Sequence, residues 1–176
     1  MKILYLSFML LFTGAVSQTV WAQSVSLADL LAIGAEPAAL TTPEDVTKHL
    51  PAEWQYKAPT INSREALWVL PAAEGLALPV ARITVRAQRP GQDVVLKTTD
   101  ASSVRGLRNE LKSKKLIAEP VTCPSCEGMR FKGSDFEATI YSEMKGDYPF
   151  VVVVHQVPAT VSGPAAKDSG AKPKAQ

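Results

Sequence analysis

Cys123 and Cys126 stand three residues apart in a Cys-Pro-Ser-Cys unit and are the only cysteines of the chain. Thiols at that spacing can exchange with a substrate disulfide and resolve it locally, can bridge to each other, or can supply half of a tetrahedral metal site. The residues C-terminal to Cys126 separate these roles. A redox pair of the thioredoxin kind opens a helix, whose N-terminal dipole lowers the pKa of the first thiol. Here the chain continues as Glu127-Gly128-Met129-Arg130-Phe131-Lys132-Gly133, with two glycines and the strand-like alternation of Met129 and Phe131. The expectation is a strand-turn-strand knuckle closed by a structural disulfide, with thiol-disulfide exchange and metal capture or delivery through the same pair as alternatives. A bridge across so short a loop removes little chain entropy, so the fold must find its stability elsewhere.

Other chemistry has few residues to draw on. His49 and His155 are the only histidines. A metal site on the two cysteines would need both of them or a second chain, and His155 alternates within a valine-rich strand, where it reads as a sheet residue. No metal site is therefore expected. Neither histidine neighbours a Gly-x-Ser-x-Gly nucleophile signature. Asp135, Glu137 and Glu143 offer carboxylates, but Glu137 and Glu143 fall on a strand face that alternation assigns to solvent. Gly128 and Gly133 lack the strand-to-helix setting and the lysine of a phosphate loop. No catalytic residue and no cofactor is assigned, and the reading leans away from an enzyme.

Charge is unevenly spread. Residues 23–81 hold seven acids against three bases, whereas residues 82–132 hold eleven bases against five acids, within a net charge of +2. Arg82, Arg86, Arg105, Arg108, Lys112, Lys114 and Lys115 form the basic surface candidate. Aromatic residues are not interleaved with them, so base stacking has no platform and nucleic acid is not the expected partner. Acidic lipid, wall polymer or an acidic protein suit the charge better. Trp54, Tyr56 and Trp68 cluster in the first half, where large aromatics read as core rather than as a glycan or peptide groove.

The address comes from residues 1–22. Lys2, the apolar run from Ile3 to Phe12 and small residues at Val20 and Ala22 have the order of a secretory signal cut after Ala22. The run is too short to cross about 30 Å of hydrocarbon, and no cysteine stands just after the cut to carry a lipid. The mature chain is expected in the periplasm or secreted, without a stable membrane span. Taking 22 residues from 176 leaves 154, ample for one domain with a core, and an apolar fraction of 46% excludes wholesale disorder.

Periodicity supplies the elements that must position these residues. Ser26 and Asp29 fit a capping box opening a short helix with Leu27, Leu30 and Leu31 on one side and Gly34 as its end. Thr42 and Pro43 read as cap and first position of a second, stopped by Pro51. Both belong to a lead over residues 23–61, with a boundary near Asn62. From Arg64 the period falls to two, and residues 80–98 read as a hairpin turned at Arg89-Pro90-Gly91-Gln92. Next comes a helix over 103–115, capped by Ser102 or Ser103, with Val104, Leu107 and Leu111 inward and a Glu110–Lys114 pair outward. Residues 136–141 alternate, Lys145-Gly146-Asp147 turns the chain, and four consecutive valines mark 150–157 as a central strand buried on both faces. Residues 159–176, without aromatics, read as a flexible tail.

The fold class expected is α+β, a single domain over 62–158 with a mostly antiparallel sheet and one main helix packed on it. The occupation expected of a small exported domain without a cofactor loop, nucleophile elbow or complete metal set is binding another protein of the cell envelope, as an accessory factor, inhibitor or immunity-type protein.

Overall fold

The computed structural model describes residues 24–36, 39–58, 65–72, 77–88 and 91–156. Residues 1–22, read above as a secretory signal, the expected junction at Asn62 and the expected tail 159–176 lie outside the described residues. Within them the chain is an α+β domain built on one antiparallel sheet of eight strands. The strands are β1 (Gln55–Lys57), β2 (Glu65–Leu70), β3 (Ala81–Ala87), β4 (Gln92–Thr98), β5 (Ile117–Val121), β6 (Glu127–Lys132), β7 (Phe136–Ser142) and β8 (Phe150–Gln156). The helices are α1 (Leu27–Ala35), α2 (Pro43–Thr47) and α3 (Ala101–Ser113).

The strand order is β1-β2-β3-β4-β8-β7-β6-β5. It joins two four-stranded meanders, β1 to β4 and β5 to β8. Consecutive strands pair as hairpins within each meander, and α3 carries the chain from the centre of the sheet to its far edge. The seam between them is β4 against β8, in register from Gln92↔Gln156 to Thr98↔Phe150. The hairpin expected over 80–98 is present as β3 and β4, with Gly91 at φ 105° in its turn. The valine run is β8, at the centre of the sheet as expected, with Val151, Val152 and Val154 all buried.

Alternation divides the sheet into two faces. Trp68, Ile83, Val85, Val94, Leu96, Ile140, Val152 and Val154 turn to the covered face and share one core cluster with Leu27, Leu30 and Ile33 of α1, Val46 of α2 and Val104, Leu107 and Leu111 of α3. Val69, Val95, Val151 and Tyr148 are buried as well, but apart from that cluster. The first three stand on the opposite, open face.

The lead is part of this core. Chain on both sides of the Asn62 junction contributes to one sheet, since β1 pairs with β2, and α1 lies across the β4–β8 seam. Ser26 and Asp29 form the expected capping box. Gly34, expected to end α1, lies inside it, and the helix closes at Ala35 with Glu36 as cap. Close approach to the sheet explains the residue: a Cβ at Gly34 would lie 2.8 Å from Gln156 Oε1 and 3.5 Å from Val94 Cγ2. Gln92 Nε2 of β4 donates to the carbonyls of Gly34 at 2.8 Å and Glu36 at 2.9 Å, so a strand residue satisfies the carbonyls that the helix leaves open.

Thr42 is the N-cap residue of α2 and Pro43 opens the helix, as expected, although the Thr42 hydroxyl donates to the Asp45 carboxylate at 2.9 Å rather than accepting from the backbone. Two further expectations are corrected. Asp100 caps α3 in place of Ser102 or Ser103, accepting from both of their backbone N–H groups and hydroxyls. A carboxylate takes several donors at once, which a hydroxyl cannot. Glu110 does not pair with Lys114; it accepts the Leu27 N–H at 3.0 Å and so occupies the positive end of α1.

Candidate functional site

The cysteine pair forms the knuckle its flanks require. Cys123 and Cys126 are bridged in the turn between β5 and β6, with Cα atoms 5.2 Å apart. The strand they brace is the outer edge of the sheet, where Pro120 and Glu119 limit further strand pairing and Ile117 is 67% exposed. Among the described residues no group of three or more His, Cys, Asp and Glu side chains is placed to hold a metal ion.

Both histidines instead hold carboxylates. His49 Nε2 donates to Glu36 at 2.8 Å. That bond, joined by Lys48 Nζ at 3.0 Å, keeps the Glu36 carboxyl below its ordinary range. His155 Nδ1 donates at 2.8 Å to Asp93 Oδ1, while Arg86 reaches Asp93 Oδ2 through Nε at 3.2 Å and Nη2 at 3.1 Å. The register explains this: Arg86, Asp93 and His155 face one another directly on β3, β4 and β8, and Glu137 of β7 continues the row. Glu137 is itself ion-paired to Arg130 at 3.1 Å. Asp135 and Glu143 are exposed, Glu143 in a turn at φ 61°.

The basic candidates divide between the two sides of the sheet. Arg105 and Lys112 are exposed on α3, Lys114 and Lys115 lie just past its end, and Arg108 is half-buried with Nη2 donating to Ser142 Oγ at 3.1 Å. Arg82 and Arg86 stand on the open face, which α3 does not cover. There the hairpin register places Arg82 directly opposite Lys97. The outer neighbours of this pair are apolar, Val69 beside Arg82 and Val151 beside Lys97.

These residues border a groove of about 370 Å³ on the open face. Leu67, Thr84, Val95 and Val153 make its floor, and Arg82, Arg86, Lys97 and Glu65 its sides. Arg86 is committed to Asp93. Arg82 is held over the Tyr148 ring, its guanidinium carbon 5.0 Å from the centroid, and its buried Nε has no hydrogen-bond partner. Burial depresses the Lys97 ammonium pKa, Arg82 and more weakly Arg86 push it the same way, and Glu65 opposes them. A second, larger cavity of about 690 Å³ lies between α3 and the ends of β3 and β4, lined by Trp54, Leu70, Leu96 and Leu107 with Asp100 and Arg105 among its polar residues.

The aromatic cluster sits mainly in the core. Trp68 is fully buried with Nε1 donating to Thr47 Oγ1 at 2.9 Å, Trp54 is buried, and Tyr56 covers Trp68 at a centroid distance of 5.3 Å. Sequence reasoning missed Lys97, Asp93 and Tyr148. The first two were within its reach, because folding residues 80–98 about the Arg89-Pro90 turn already sets Lys97 against Arg82 and Asp93 against Arg86. Tyr148 comes from a loop outside the hairpin and left no such signal. Compared with protein-family models, curated proteins and solved structures, the chain matches none of them.

Proposed function

We propose that the chain is an exported, non-enzymatic binding protein that acts on another protein of the cell envelope, as an accessory factor, an inhibitor or an immunity-type protein. The observation that carries the reading is the open face of the sheet. Among the described residues the apolar faces of the helices join one core on the covered side, and on the other side cations border an apolar floor. Apolar surface rimmed by fixed charge is the composition of a protein-recognition patch. The secretory pattern of residues 1–22 and the Cys123–Cys126 bridge support an oxidising compartment outside the cytoplasm. Among the described residues no helix is long and apolar enough to cross a membrane.

The test is cross-linking in living cells with the full chain, then mass identification of the recovered proteins, for wild type and for Cys123→Ser/Cys126→Ser. One reproducible partner retained by the double variant is the expected result. Many partners held by reducible bonds and lost in the variant would make this a thiol-exchange protein and overturn the reading.

A further inference from the structure

Arg82 and Lys97 are an unusual pair to place face to face. Like charges directly opposite on neighbouring strands repel, and the β3–β4 register fixes them there between Val69 and Val151. Neither side chain has a carboxylate within ion-pair distance among the described residues, although Asp93 further along the same strands is fully engaged by Arg86 and His155. Stacking on Tyr148 fixes the guanidinium, so Arg82 is not free to swing away into solvent.

We propose that Arg82 and Lys97 form an oxyanion site that takes a carboxylate carried on an apolar stem, presented by an acidic side chain of the protein partner. A carboxylate placed between the two cations accepts charge-assisted hydrogen bonds from them and offsets the repulsion with Lys97. The groove beside them admits the stem, with Leu67, Val95 and Val153 as its apolar wall. Two cations stand against the single Glu65 carboxylate at the groove's side, so an aliphatic group that brings its own negative charge matches both halves of the groove, whereas a cation is repelled by the pair and an uncharged group leaves it unsatisfied. The identity of the carrier rests on the binding-protein reading above; the anion site itself does not.

The first arm uses the chain from residue 23 to 176, with hexanoate as the carboxylate on an apolar stem and butylammonium as a cation of similar stem. The readout is the NMR signal of Arg82 Nε–Hε together with the methyl signals of Val95 and Val153. Hexanoate is expected to shift all three saturably and butylammonium to leave them unmoved. Lys97→Met should weaken hexanoate about tenfold, the loss of one charge-assisted hydrogen bond. It should also raise the urea midpoint, because it removes the repulsion. That opposite movement separates a binding role from a structural one. A linear, unsaturable response, or equal affinity in Lys97→Met, overturns the site. The second arm repeats the cellular cross-linking with Lys97→Met. Loss of the partner supports the assignment. A partner captured undiminished overturns the link between site and partner while leaving the binding-protein reading intact. No partner at all, with hexanoate still bound, overturns that reading and leaves the site standing.

Discussion

Asp100 shows how much one side chain settles at a helix start. Burial acts to raise its carboxyl pKa, but the hydrogen bonds from Ser103 and Ser102, side chain and backbone, outweigh it and hold the group below the ordinary aspartate range. A depressed carboxyl contributes stability that is present above the unfolded pKa of about 3.9 and is lost as pH falls through the lower folded value. Asp100→Ala is therefore expected to cost about 1 kcal/mol at pH 7 by urea unfolding. The gap to wild type should narrow as the pH falls below about 4, where wild type loses the charge that the variant never had. A gap that is constant from pH 7 to about pH 2.5 would mean that the carboxylate charge contributes nothing at this cap. Glu36 moves in the same direction through His49 and Lys48, so its contribution is lost over the same acid range.

α1 is held at both ends by side chains from other elements, Glu110 of α3 on the Leu27 N–H and Gln92 of β4 on the terminal carbonyls. Gln92 and Gly34 are buried, so the amide N–H groups and the Gly34 carbonyl have no water to turn to. Gln92→Ala should cost about 1 to 3 kcal/mol in urea unfolding, the range for orphaned buried polar groups. Gln92→Glu should cost more at pH 7, because a carboxylate would then face carbonyl oxygens at the negative end of a helix, and less on acidification, when a protonated carboxyl can donate. If the two variants are equally stable at pH 7, the amide is not acting as a donor there. By contrast Cys123→Ser/Cys126→Ser should lower the stability read from urea unfolding by no more than about 2 kcal/mol, since the bridge spans a sequence separation of only three. What sequence reasoning recovered at this scale is local: the capping box at Ser26, the hairpin over 80–98, the valine strand and the cysteine knuckle all show in patterns of neighbouring residues. What it missed is long-range. Gln92 and Gly34 are 58 residues apart, Glu110 and Leu27 are 83 apart, and neither periodicity nor turn chemistry carries information over such distances. Gly34 illustrates the confusion, for a glycine near a helix end reads as a stop while here it is the place where helix and sheet meet.

On the scale of the molecule, the two meanders share a single line of strand pairing, β4 with β8, and the helices must hold that seam closed from one side. α3 reaches it only through β8 to any extent, whereas α1 packs on both strands. That makes the first described helix a clamp. Leu27, Leu30 and Ile33 are each fully buried, and three such side chains contribute about 2 kcal/mol apiece, or about 6 kcal/mol together. A domain of this size has about 5 to 15 kcal/mol of net stability, so loss of α1 removes a large share of it. A chain beginning at residue 39 is therefore expected to lose cooperative thermal unfolding and near-ultraviolet circular dichroism, while the chain beginning at residue 24 keeps both. Were the shorter chain to melt cooperatively within a few degrees of the longer one, the seam would be self-sufficient and α1 an ornament on it. The same pair of chains bears on the open face, because Arg82 and Lys97 are brought together by β3 and β4, and α1 packs on β4 from the other side. Binding on one side of the sheet and helix packing on the other are two uses of the same alternating strands, and the first is expected to fail when the second is removed.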